Sequence, residues 1–136
     1  MQFTFTPIGT LHTPAQEIPR HWSVSQVKGE IEIDPAYAQG LQDIAPGQHI
    51  VVIFVFDRSH PFVLRNLVQK PPHKNEELGV FSTCSPRRPN PIGMSVLQVL
   101  EAQGCKLLVQ GVDMLDKTPI LDIKPYIELQ NVKQQG

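Results

Sequence analysis

Much of what would mark a common functional class is missing from these 136 residues. There are two cysteines, Cys84 and Cys105, with no paired metal spacing, and five scattered histidines at 12, 21, 49, 60 and 73. No structural zinc or other metal site is therefore expected, and a reduced cysteine pair is expected over a disulfide. No apolar run approaches the ~20 residues needed to cross a bilayer, and the longest, Ile50–Phe56, has the length of a strand. The opening MQFTFTPIG alternates polar and apolar residues and lacks the basic start and apolar centre of a signal peptide, so a cytoplasmic protein with no membrane contact is expected. A net charge of −1 supplies no global basic field for nucleic acid. GxGxxG, P-loop and GxSxG patterns are all absent, which leaves a Rossmann cofactor site, a nucleoside-triphosphate site and a hydrolase triad without support.

What the chain has in quantity is proline. Thirteen prolines argue against long helices, because each removes a backbone donor and fixes φ. Phe3, Phe5 and Pro7 alternate with polar residues, and Ile8 and Leu11 carry the apolar face onward. Val27, Ile31 and Ile33 bracket Lys28, Glu30 and Glu32, the pattern of a strand with one wet face. Asp34-Pro35 reads as an N-cap followed by proline at the first helical position, which predicts one short helix to about Leu41. His49–Phe56 is β-branched and aromatic without alternation, so it predicts a central strand buried on both faces. Ile92–Glu101 and Lys106–Val112 flank a Gly104-containing connection and predict a hairpin. Ile120–Ile123 adds a short strand. Together these predict a mainly β chain: a compact, single-domain antiparallel β-barrel over 1–136 with one short helix. Residues 68–78 are expected to form a long mobile loop and 130–136 a frayed tail.

Two segments concentrate chemistry. In Phe81–Ser95, Pro86, Pro89 and Pro91 stiffen a loop that carries Arg87, Arg88 and Asn90, and local basic charge gathers between Arg58 and Arg88. Gly93 permits a turn or the close approach of a ligand. The alternative is a structural loop whose arginines cap carbonyls or pair with surface acids. In Gly111–Tyr126, Asp113, Asp116 and Asp122 lie near Lys117 and Lys124, and Asp116-Lys117-Thr118-Pro119 has turn chemistry. Asp122 and Lys124 are either functional or a structural ion pair. Taken alone, the residues establish a β-barrel with a rigid Arg/Asn loop and an acidic turn.

At these segments the chain resembles the TrmO family, also called TsaA-like, of tRNA adenosine N6-methyltransferases. The resemblance rests on Pro-Ile-Gly at 7–9, Ile-Pro-Arg at 18–20, Phe-Val-Phe at 54–56, Gly-Val-Phe at 79–81, Arg-Pro-Asn-Pro-Ile-Gly-Met-Ser at 88–95 and Asp-Lys-Thr-Pro-Ile-Leu-Asp-Ile-Lys-Pro-Tyr at 116–126. It implies a homodimeric β-barrel that binds S-adenosyl-L-methionine (SAM) near the subunit interface. The implied reaction methylates N6 of threonylcarbamoyladenosine next to the anticodon of threonine tRNA. By the same resemblance the cofactor contacts fall on Pro19, Arg20, His21, Asp57, Arg58, Cys84, Met94, Met114, Leu115, Asp116 and Lys117. Asp116, Asp122 and Tyr126 are the candidate proton acceptors, and Arg87, Arg88 and Asn90 suit the phosphates or base edges of the anticodon loop.

Two positions depart from the family pattern. Cys84 stands where arginine is usual in Thr-Arg-Ser, and Lys117 where glycine is usual in Asp-Gly-Thr-Pro. A thiol cannot replace a guanidinium fork. Longer members carry a further C-terminal domain with no counterpart in these residues. Besides the methyltransferase, the sequence is compatible with a diverged SAM- or nucleotide-binding protein that leaves tRNA unmethylated, and with a barrel that binds RNA without cofactor. SAM calorimetry and a methyl-transfer assay discriminate among the three.

Overall fold

Alternating apolar residues turn the chain back and forth around one core. The computed structural model describes residues 1–129, so the expected tail over 130–136 lies outside the described residues. In chain order the strands are β1 (Gly9–His12), β2 (Lys28–Ile33), β3 (His49–Val55), β4 (Val68–Gln69), β5 (Leu78–Gly79), β6 (Ile92–Gln103), β7 (Lys106–Gln110) and β8 (Thr118–Pro125). Six of them close an antiparallel barrel in the order β1-β2-β7-β6-β3-β8, and β1 pairs with both β2 and β8 to complete the ring. Closure removes the exposed edges that an open sheet of this size would leave.

The strands expected at 27–33, 49–56, 92–101, 106–112 and 120–123 supply the core. Leu11, Ile31, Ile33, Ile50, Val52, Phe54, Leu97, Val99, Leu107, Val109 and Ile120 fill the barrel, with Val112 and Met114 beside them. Burial of each such side chain contributes about 1.5–3 kcal/mol relative to exposure. β3 is central, paired with β6 on one side and β8 on the other. Its second face differs from expectation. Val51, Ile53 and Val55 are only half-buried, because a barrel has a single interior and their side chains line its outer wall.

Other local outcomes follow from what each segment finds to pair with. The alternation at Phe3 and Phe5 produces no strand. Ile8 donates to the Ile120 carbonyl (2.8 Å), but residues 1–7 before it form no strand; residues 1–5 lie along the outer wall beside Val55, Ile92 and Leu121, and both rings are exposed. The helix after Asp34 is present over Pro35–Leu41, capped by Asp34 Oδ1 accepting from the Ala36 amide (2.9 Å). It winds as a 3-10 helix, consistent with a seven-residue segment containing Gly40, too short to repay α-helix nucleation. The loop expected over 68–78 is closed at its base by β4 and β5, which pair Val68 with Gly79 and Gln69 with Leu78. The β6–β7 hairpin turns as expected at Gly104, which has φ +60°.

Gly93 corrects another expectation. It marks neither a turn nor a ligand approach. It lies buried within β6, beneath the edge-to-face rings of Phe54 and Phe56, whose centroids are 5.1 Å apart. A β-carbon there would run into the Phe54 ring.

Strand parity decides where the connections go. In an antiparallel barrel each strand reverses the last, so residues 13–27, 56–91 and 111–117 all emerge at one mouth. Residues 34–48 and the tight turn at 104–105 occupy the other. Gly93→Ala is expected to destabilise the protein by about 1–3 kcal/mol through overpacking, read as a lower urea midpoint at unchanged slope.

Candidate active site

The first mouth is knit together by the 111–117 connection. Gly111, with φ +103°, turns the chain out of β7, and the Gly111 and Val112 amides both donate to the Val27 carbonyl (3.0 Å each). Val112 and Met114 point into the barrel and are buried, while Leu115 and Lys117 are exposed. Asp116 is the junction. Its Oδ1 accepts from the Thr13 amide (2.9 Å), and its carbonyl accepts from Arg58 Nη2 (2.7 Å). Arg58 also donates through Nη2 to Thr118 Oγ1 (3.2 Å) and through Nε to Asp57 Oδ1 (3.2 Å). Lys117 adopts a left-handed backbone, φ +68°, while its amide donates to the Leu11 carbonyl (2.7 Å).

Residues 13–25 arch over the same mouth. Thr13 anchors the start through its hydroxyl bond to the Lys28 carbonyl (2.8 Å), and Ser25 anchors the end by donating to the Val112 carbonyl (2.5 Å). Pro19, Arg20 and His21 stand between these anchors, with Arg20 exposed. His21 packs on Trp22 at a centroid distance of 4.9 Å, and its Nδ1 accepts from the Ser23 amide (3.2 Å).

Asp113 is drawn part-way into the barrel. Burial pushes its carboxyl above the ordinary aspartate value, opposed by the Ser95 hydroxyl, the Trp22 backbone N–H, the charge of His21 and its own amide. Ser95, fully buried on β6, donates to Asp113 Oδ1 (2.5 Å).

The structure thus brings Pro19, Arg20, His21, Asp57, Arg58, Met114, Leu115, Asp116 and Lys117 to one mouth from three remote segments. Met94 sits on the outer side of β6, next to the inward Ser95, and is 54% exposed. Cys84 is an exposed free thiol on the proline-rich loop of the same mouth. In that loop Arg88 turns back to hold the Thr83 and Ser85 carbonyls (3.0 and 3.1 Å), while Arg87 and Asn90 stay exposed. Two residues fall elsewhere. Asp122 lies on the outer wall, ion-paired with Lys124 (3.0 Å) and capping the Ile123 amide (2.9 Å). Tyr126 lies past the far end of β8, beside His49 at a centroid distance of 6.3 Å. Thr13, Ser95, Asp113 and Thr118 were not singled out as site residues by sequence reasoning. A buried serine and a turn threonine carry no motif of their own. Among the described residues no group of three or more metal-ligating side chains converges, and no helix is long and apolar enough to cross a membrane.

A six-stranded barrel with three connections meeting at one mouth, bringing together cationic, acidic and apolar side chains, defines a class of single-mouth β-barrel site. Residues 8–131 match the family described as the tRNA-methyltransferase O N-terminal domain, and the chain belongs to that family. It is 38% identical to a probable S-adenosyl-L-methionine-binding protein of Pyrococcus abyssi, over 98% of this chain and 73% of that one. A mouse tRNA (adenine(37)-N6)-methyltransferase is 41% identical over 65% of this chain but only 20% of its own length. Among solved structures, TrmO from Pseudomonas aeruginosa superposes with a TM-score of 0.74 at 31% identity. That match covers 93% of this chain, which spans 57% of the Pseudomonas chain.

A lysine in the left-handed region is strained where glycine is free. Lys117→Gly is therefore expected to raise stability by about 1 kcal/mol, visible as a higher melting temperature in scanning calorimetry.

Proposed function

We propose that this chain is a SAM-dependent methyltransferase acting on N6 of threonylcarbamoyladenosine beside the anticodon of tRNA. The observation that carries the reading is the convergence at Asp116, where Thr13 and Arg58 draw the 13–25 and 56–58 segments onto the 111–117 turn. A cofactor with a carboxylate, an adenine and a sulfonium needs a cation, an apolar surface and an acceptor at one place. Arg20 offers an exposed guanidinium for the carboxylate. Arg58 has both Nε and Nη2 committed within the protein, so its role is to shape the rim. Leu115 and Met94 offer exposed apolar surface for the adenine, with buried Met114 supporting from below. Asp116 Oδ1 is engaged by Thr13, which leaves Oδ2 to face the sulfonium or to take the N6 proton. When bound, SAM supplies the activated methyl group, and the protein's task is alignment.

The proline-rich loop supports the nucleic-acid side. Arg88 rigidifies it, and Arg87 and Asn90 are left free for phosphates or base edges of the anticodon loop. A cytoplasmic setting follows from such a substrate. A homodimer is supported by the outer wall, where exposed Phe3 and Phe5 border a groove of about 780 Å³ with Ile92 and Leu121. Two other grooves lie at the barrel's side and far end, whereas this one runs up to Asn90 and Pro91 beside the mouth. A second copy on this wall would help to enclose it.

A second reading, a SAM- or nucleotide-binding protein that leaves tRNA unmethylated, is favoured by one observation. Cys84 presents a thiol where the family pattern usually has arginine. Incubation with methyl-labelled SAM and total tRNA is expected to label tRNA. Saturable SAM binding with unlabelled tRNA would instead establish the second reading. In the same preparation Cys84→Arg is expected to tighten SAM binding by about tenfold or more, the worth of one charge-assisted contact.

A further inference from the structure

The turn between β7 and β8 grips the 13–25 arch at both feet. The entry foot is the Thr13 amide on Asp116 Oδ1. The exit foot is Ser25 on the Val112 carbonyl (2.5 Å); the short Trp22–Val24 turn just before it lies against β6, and next to Val112 stands Asp113. Between the feet, residues 14–20 form no helix or strand, so little besides the feet defines where they stand. Behind Asp113 is Ser95, buried in the barrel wall, with its hydroxyl donated to Oδ1. A carboxylate withdrawn from water is unfavourable unless donors occupy its oxygens. Here the placed donor is Ser95 of the wall, on the strand that the Trp22–Val24 turn lies against.

We infer that Asp113 is a positioning residue for the cofactor: by tying the turn beside Val112 to Ser95 of the barrel wall, it holds the exit foot of the arch and so sets where Pro19, Arg20 and His21 stand over the mouth. The inference rests on the methyltransferase reading for the identity of the ligand, whereas the latch itself rests on the geometry. Alanine at this position removes the acceptor of the Ser95 hydroxyl. Asparagine keeps it, because its Oδ1 accepts from that hydroxyl as the carboxylate oxygen does.

The test measures amide hydrogen exchange in the ligand-free protein and SAM affinity by calorimetry, for wild type, Asp113→Ala and Asp113→Asn. In Asp113→Ala, exchange across 14–24 is expected to accelerate about tenfold or more while β3 and β6 amides stay protected. SAM affinity is expected to fall about tenfold to a hundredfold, the range for a lost hydrogen bond to a charged group. In Asp113→Asn both quantities should stay within about threefold of wild type, the spread of a retained contact. Unchanged exchange in a folded Asp113→Ala overturns the latch. Accelerated exchange with unchanged SAM affinity overturns the positioning role, as does an asparagine variant as impaired as the alanine one. Should Asp113→Ala fail to fold, Ser95→Ala cuts the same link from the wall side and is read by the same criteria. Failure of the wild type to bind SAM sinks the methyltransferase reading, and the exchange measurement still decides whether the latch exists.

Discussion

The mouth depends on the single junction at Asp116. One residue accepts from the Thr13 amide through its side chain and from the Arg58 guanidinium through its carbonyl, so segments 103 and 58 positions away meet at it. Hydrogen bonds involving charged groups are stronger than neutral ones, and each here replaces a bond that would otherwise go to water. The left-handed turn at Lys117 follows from the same junction. The chain must reverse immediately after Asp116 to start β8, and the Lys117 amide is drawn to Leu11.

This arrangement separates the barrel's two tasks. The interior is apolar and fully packed, so register is strongly specified: a slip by one residue would turn Ile31 and Ile33 to water and Glu30 and Glu32 to the core. Polar groups are confined to the mouth and the outer wall, and among the described residues no buried side-chain nitrogen or oxygen lacks a hydrogen-bond partner. Asp113 is the place where the two meet. It is a carboxylate drawn part-way into the core and held there by a buried hydroxyl.

The strands were legible because their information is local. The alternation around Ile31, the β-branched run at Val51–Phe56, the hairpin at Gly104 and the proline after Asp34 each state a conformation within a few residues. The site was legible only in part. Pro19, Arg58 and Asp116 are remote in sequence and become neighbours through strand order, which no short-range pattern encodes; the family resemblance, not periodicity, drew them together. Asp122 and Tyr126 belong to the same motif as Asp116, but the bulge and pleat of β8 carry Asp122 to the outer wall, and the strand carries Tyr126 to the far mouth. Gly93 looked like a turn because a glycine's lost side chain does not say what fills its place. Here it is the Phe54 ring.

The direction of the first and last barrel strands has a practical consequence. β1 enters the ring, and β8 leaves it, on the side away from the mouth. Residues 1–5 nevertheless double back along the outside of the cylinder, so that they stand against Val55, Asn90, Pro91 and Ile92 beside the opening, and an affinity tag or reporter joined to Met1 starts its path there. An amino-terminal fusion is consequently the handle to avoid when this protein is immobilised with its opening turned to solution.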